Sequence, residues 1–141
     1  MEQSKTIDWI IHYVQEHDCQ ICGNHDDSPI GFTGFASIHT HGLNKHGHKE
    51  ICIPFDIGFE LSCMILNQTG LDIKLENKKF TPGLTDGIIR NFPVLFYEVR
   101  NNSDTLYMIL PDPNGKFPDD EDCKFPYNKQ IIYANIIEED K

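Results

Sequence analysis

No stretch of the 141-residue chain approaches the roughly 18 consecutive apolar residues of a membrane span. The amino-terminal "MEQSKTIDWIIHYVQEHDC" carries charges throughout its first apolar region, so it lacks the uninterrupted hydrophobic run of a secretory signal. Basic residues are scarce as well. Twelve lysines and arginines stand against 22 acidic residues, a formal charge of −10, and a surface of that sign repels phosphates. Nucleic acid and anionic membrane are therefore excluded as expected partners, which leaves a small molecule or a basic protein. Neither Ser62 nor Ser103 sits in a Gly-x-Ser-x-Gly turn, and there is no glycine-rich phosphate loop, so serine-hydrolase and P-loop chemistry are set aside. Repeats, low-complexity tracts and interdomain linkers are missing too, as expected of one domain.

What is present reads as an ordinary globular chain, with 39% apolar residues and 11% aromatics. Five cysteines, an odd number, point to thiols or metal ligands in a reducing, cytoplasmic setting rather than to a disulfide framework. Ile7, Ile10, Ile11 and Val14 recur at helical spacing and predict an amphipathic helix over about residues 5–18, capped by Ser4 or Thr6. "CQICGNHDDSPIGF" reads as loop. Beyond the histidine region, Asp56 is expected to cap a helix "IGFELSCMILNQT" that buries Leu61, Met64 and Ile65 and stops at Gly70. "TPGLTDG" reads as a loop or short helix, "PVLFYEVR" and "TLYMILPD" as a hairpin, and "IIYANII" as a final strand. The expected class is α+β: one domain, with an antiparallel sheet, an N-terminal helix and one helix after the first hairpin.

The densest chemistry lies in "HTHGLNKHGHKEI", residues 39–51, where four of the seven histidines fall within ten positions. "FASIHTH" and "HKEICIPF" predict two antiparallel strands, 35–41 and 48–55, with Ala36, Ile38, Ile51, Ile53 and Phe55 on the core faces. The opposite faces carry Ser37, His39 and His41, and His48, Glu50 and Cys52. Two registers are open. One pairs His41 with His48 and His39 with Glu50; the other pairs His41 with Glu50 and His39 with Cys52.

Three segments, "HTHGL", "KFTPG" followed by "FPVLFYEV", and "ILPDPNGKFPDDEDCKFPY", resemble the bacterial domain-of-unknown-function 4262 family. The matching positions are Thr40, Gly42 and Leu43; His48, Glu50 and Ile51, the last in place of the usual Leu; and Pro111, Asp112, Gly115, Phe117 and Pro118. The resemblance spans about residues 30–130 and leaves out the N-terminal segment and "CQIC". It implies a single α+β domain and brings no established activity.

Two imidazoles two apart on one strand, joined by an imidazole, a carboxylate and a thiol from the next, are the ligand types zinc prefers. In one reading His39, His41 and His48 hold zinc, Glu50 is the general base of a metal-assisted hydrolase, and His48 takes part in catalysis. Cys19, Cys22 and His25 have knuckle spacing and define a possible second metal site, with a fourth ligand from the hairpin or Cys123. Asp112, in "PDPNG", either orients an imidazole at the same site or makes a tight turn. The second reading is a non-catalytic acidic binding module, an immunity, inhibitor or small-ligand sequestering protein.

Overall fold

The computed structural model describes residues 7–15 and 35–139. The described residues form one α+β domain, and no helix among them is long and apolar enough to cross a membrane. In chain order its elements are β1 (Ile10–Gln15), β2 (Phe35–His41), a 3-10 turn (Leu43–His46), β3 (Glu50–Phe55), α1 (Phe59–Glu76), β4 (Gly83–Thr85), β5 (Val94–Tyr97), β6 (Thr105–Ile109), a second 3-10 turn (Tyr127–Lys129) and α2 (Gln130–Glu139). The strands make a single sheet ordered β1-β2-β3-β6-β5-β4. It is mixed rather than purely antiparallel, because β3 and β6 run parallel while the other neighbours are antiparallel.

The strands around the histidines pair as expected, Ile38 opposite Ile53 and His39 opposite Cys52, which is the second of the two open registers. The hairpin of β5 and β6 also forms, with Leu95 opposite Ile109. Three expected elements differ. Residues 10–15 are a strand, not part of an N-terminal helix: β-branched Ile10, Ile11 and Val14 flank Tyr13, and an antiparallel partner in β2 stabilises the extended form that such residues prefer. "IIYANII" lies in α2, where Gln130, Tyr133, Ala134 and Ile137 are buried at helical spacing. "TPGLTDG" contains the short edge strand β4.

A helix covers each side of the sheet. The Tyr107 hydroxyl, on the side shared by His39 and Cys52, donates to Glu138 of α2 at 3.0 Å. Tyr13, on the Ile38 side, meets Phe59 at the start of α1 edge-on, with ring centroids 5.9 Å apart. With cover on both sides, every residue of β6 and all of β3 except Glu50 are buried.

Helix α1 does not stop at Gly70, and its buried side is not the expected one. Ser62, Leu66, Thr69, Gly70 and Ile73 face inward, while Leu61 and Met64 are exposed, Met64 by 69%. The indole of Trp9 sets this rotation. It is 4% exposed, donates from Nε1 to Asn67 Oδ1 at 2.9 Å, and lies so close to Gly70 that a Cβ there would stand 2.4 Å from the ring. Only small side chains fit beneath it. Gly70→Ala is therefore expected to lose about 1 kcal/mol in chemical denaturation, the clash outweighing the gain in helix propensity. A stabilised variant would contradict this packing.

Candidate functional site

Glu50 opens β3 and turns its carboxylate back onto the segment that follows β2. Oε1 accepts hydrogen bonds from the Thr40 hydroxyl at 2.9 Å, Leu43 N–H at 3.0 Å and Gly42 N–H at 3.2 Å. Oε2 accepts from Gly42 N–H at 3.1 Å and Asn44 N–H at 3.2 Å. The Thr40 hydroxyl oxygen in turn accepts the Ile51 N–H at 2.9 Å. Three successive backbone N–H groups at the start of a 3-10 turn form an anion cradle, and Glu50 fills it from within the chain. Gly42 makes the cradle possible: its φ is 126°, and a Cβ would come within 3.1 Å of Trp9.

His48 is 7% exposed and uses both ring nitrogens. Nδ1 lies 2.7 Å from the Lys49 carbonyl oxygen, and Nε2 lies 2.9 Å from the Phe80 amide nitrogen. A carbonyl needs a donor and an N–H needs an acceptor, so the ring is the tautomer protonated on Nδ1. It joins the turn before β3 to the segment after α1 and packs edge-on against the Phe80 ring, centroids 5.9 Å apart. His48 precedes β3 and stands away from the strand face that carries His39.

The imidazoles that do meet are His12, His39 and His41. His12 of β1 stands opposite His39, their rings parallel within 4° and 5.2 Å apart, and it meets His41 edge-on at 5.5 Å. His39 Nδ1 shares a 2.9 Å hydrogen bond with Ser37 Oγ, which lies 3.5 Å from the buried Cys52 thiol. Among the described residues no group of three or more His, Cys, Asp or Glu side chains is arranged to hold a metal ion. Cys19, Cys22 and His25 lie outside the described residues. His12 went unnoticed in the sequence because the helical reading of residues 5–18 placed it on no strand. The β-branched run around it is the signal that would have paired it with His39.

His46 belongs to a separate surface cluster. It lies 2.8 Å from Asp8, which also faces Lys74 at 3.6 Å, and the Lys45 ammonium donates to the Asp8 carbonyl. The hydrogen bond from His46 chiefly holds the Asp8 carboxyl below its usual value against a smaller effect of burial, helped by the charges of His46, Lys74 and Lys45.

Asp112 is 1% exposed and organises the loop that follows β6. Oδ1 accepts from Asn114 N–H at 2.8 Å and Lys116 N–H at 2.9 Å, and Oδ2 from Lys124 N–H at 2.9 Å. Desolvation raises the proton affinity of this carboxyl, but the three backbone N–H groups and the Lys124 charge outweigh it and bring the pKa below the ordinary Asp value. The arrangement is that of a turn organiser, with no imidazole among its described partners. A carboxyl whose pKa is lowered on folding contributes stability above its unfolded pKa, and that contribution is lost as pH falls through the folded value. Amide protection at Asn114, Lys116 and Lys124 is therefore expected to fall on acidification below about pH 4. Asp112→Ala should remove the same protection already at neutral pH. Hydrogen exchange followed by NMR reads both, and unchanged protection in the variant would contradict this role. Cys123 lies in the same loop. Burial, followed by the charges of Asp112, Asp120, Asp122 and Asp119, pushes its thiol up to about 11. Among the described residues Cys63 and Cys123 are free thiols.

The larger concavity lies elsewhere. A pocket of about 530 Å³ opens where the end of β3, the first turns of α1, the segment after β6 and the turn before α2 meet. Phe55, Ile57, Leu61, Ile65, Leu110 and Tyr127 give it apolar walls, and among the described residues that line it Asp56 is the one charged residue. Leu61 and Ile65, expected in the core, face this pocket because Trp9 turns the small side of α1 inward. A second, more polar hollow of about 390 Å³ lies over His41, Asn44, His48, Lys49, Glu50 and Asp104. There Lys49 is already tied to Glu98 at 3.2 Å and to the Asn101 carbonyl at 3.1 Å.

Comparison of the chain with protein-family models, with curated proteins and with solved structures returned no match.

Proposed function

We propose that this protein is a non-catalytic binding module that takes a small apolar ligand in the pocket between β3, α1 and the turn before α2. The observation that carries this reading is the pocket itself. Its volume suits a small organic molecule, its walls are apolar, and it recruits Leu61 and Ile65, residues that an ordinary amphipathic helix buries in the core. The engagement of Glu50 and His48 supports the same reading. A general base needs a free lone pair within reach of substrate, whereas the Glu50 oxygens together accept from one hydroxyl and three backbone N–H groups. The test is fluorescence titration with the neutral apolar probe N-phenyl-1-naphthylamine. Saturable binding is expected in the wild type and its loss in Leu61→Trp, which fills the pocket from an exposed position. Equal binding by both proteins would place the ligand elsewhere.

A metal-assisted hydrolase is the second reading, because His12, His39 and His41 come together on β1 and β2. As placed, the three rings are not arranged around a metal, so this reading requires them to turn for His12, rather than His48, to join His39 and His41 at zinc. Metal analysis of protein purified without a histidine tag decides between the two. Stoichiometric zinc that disappears in His41→Ala would favour the hydrolase, and metal-free protein with intact probe binding favours the module.

A further inference from the structure

Among the described residues that line the pocket, Asp56 is the one that carries a charge. Asp56 Oδ2 accepts the Tyr13 hydroxyl at 2.6 Å and Oδ1 accepts the Gly58 N–H at 2.8 Å, both neutral donors. Among the described residues no lysine, arginine or histidine forms an ion pair with it. Three other acidic side chains meet cations, Asp8 at His46 and Lys74, Glu98 at Lys49 and Glu138 at Arg100, while Glu50 and Asp112 are held by backbone N–H groups. The hydrogen bond to Asp56, then burial and the Asp56 charge, push the Tyr13 hydroxyl up to about 12, so it remains a neutral donor across the physiological range.

A carboxylate beside apolar walls attracts a cation more strongly than the same group in open water, because less solvent screens it. The formal charge of −10 adds a long-range field of the same sign. The same two features disfavour a fatty acid or any other anion with an apolar tail. A neutral apolar molecule would gain from the walls and nothing from Asp56.

We propose that the pocket selects a cationic amphiphile, an amine or quaternary ammonium whose apolar body lies against Phe55, Ile65 and Leu110 and whose charge sits at Asp56. This inference rests on the pocket being the ligand site, and its test separates the two claims. Decylammonium, decanol and decanoate, each below its aggregation concentration, are titrated calorimetrically into the wild type and Asp56→Asn. In the wild type decylammonium is expected to bind about ten-fold more tightly than decanol, with decanoate the weakest. Asp56→Asn is expected to bring decylammonium close to decanol while leaving decanol unchanged. The wild type offers an independent reading that needs no variant: the preference for decylammonium should shrink as salt rises. Equal affinity of the amine and the alcohol in the wild type, or a preference that survives both Asp56→Asn and high salt, would overturn the charge selection while leaving the pocket intact. No binding of any of the three would overturn the pocket reading and the inference with it.

Discussion

Glu50→Gln is expected to destabilise the protein by about 3 kcal/mol, a large effect for an isosteric change at a half-buried position. The carboxylate collects donors from Thr40, Gly42, Leu43 and Asn44, and both of its oxygens are needed as acceptors. An amide keeps one acceptor and turns the other into a donor that faces N–H groups. Either the cradle opens or a buried N–H loses its partner, and each costs more than a surface hydrogen bond. Urea denaturation monitored by circular dichroism measures the loss. A stability unchanged to within about 0.5 kcal/mol would return Glu50 to the list of free carboxylates available for chemistry.

The two histidines at either end of the turn should respond in opposite ways. His48→Ala removes a buried ring that satisfies the Lys49 carbonyl and the Phe80 N–H and packs on the Phe80 side chain. The loss is expected to be about 2–3 kcal/mol, from two stranded backbone groups together with the cavity left behind. His41→Ala, at an exposed position, is expected to stay within about 0.5 kcal/mol of the wild type. Thermal and chemical denaturation of the two variants side by side checks the pair. Equal, small effects would mean that His48 is not the bridge between the β3 turn and Phe80.

The strands flanking the histidines were legible in the sequence because Ile38, Ile51 and Ile53 alternate with polar residues, and a period of two specifies an extended chain with one buried side. What hid the rest was ambiguity in short apolar runs. Ile7, Ile10, Ile11 and Val14 satisfy a helical period, yet the β-branched residues of β1 and the availability of β2 as a partner decide for a strand. "IIYANII" has the opposite history: a β-rich composition over a helical spacing of buried residues. The difference bears on function, because a strand at "IIYANII" supplies no cover for the side of the sheet that carries His39 and Cys52. In the structure α2 lies over this side, and Glu138 is 2% exposed there beside Tyr107, Ser103 and Arg100. The pocket was illegible for a related reason. Its walls come from five separate segments, and Pro111, Pro126 and Tyr127 belong to a stretch whose turn residues mask any core pattern.

Chemical-shift mapping distinguishes a ligand bound at the α1 pocket from one bound at the histidine turn. Amide and methyl spectra of the labelled protein, recorded with increasing N-phenyl-1-naphthylamine, are expected to change at Phe55, Asp56, Ile57, Leu61, Ile65 and Leu110, with His41, Asn44 and Glu50 unmoved. Perturbations confined to residues 41–50 would instead place the ligand at the histidine turn.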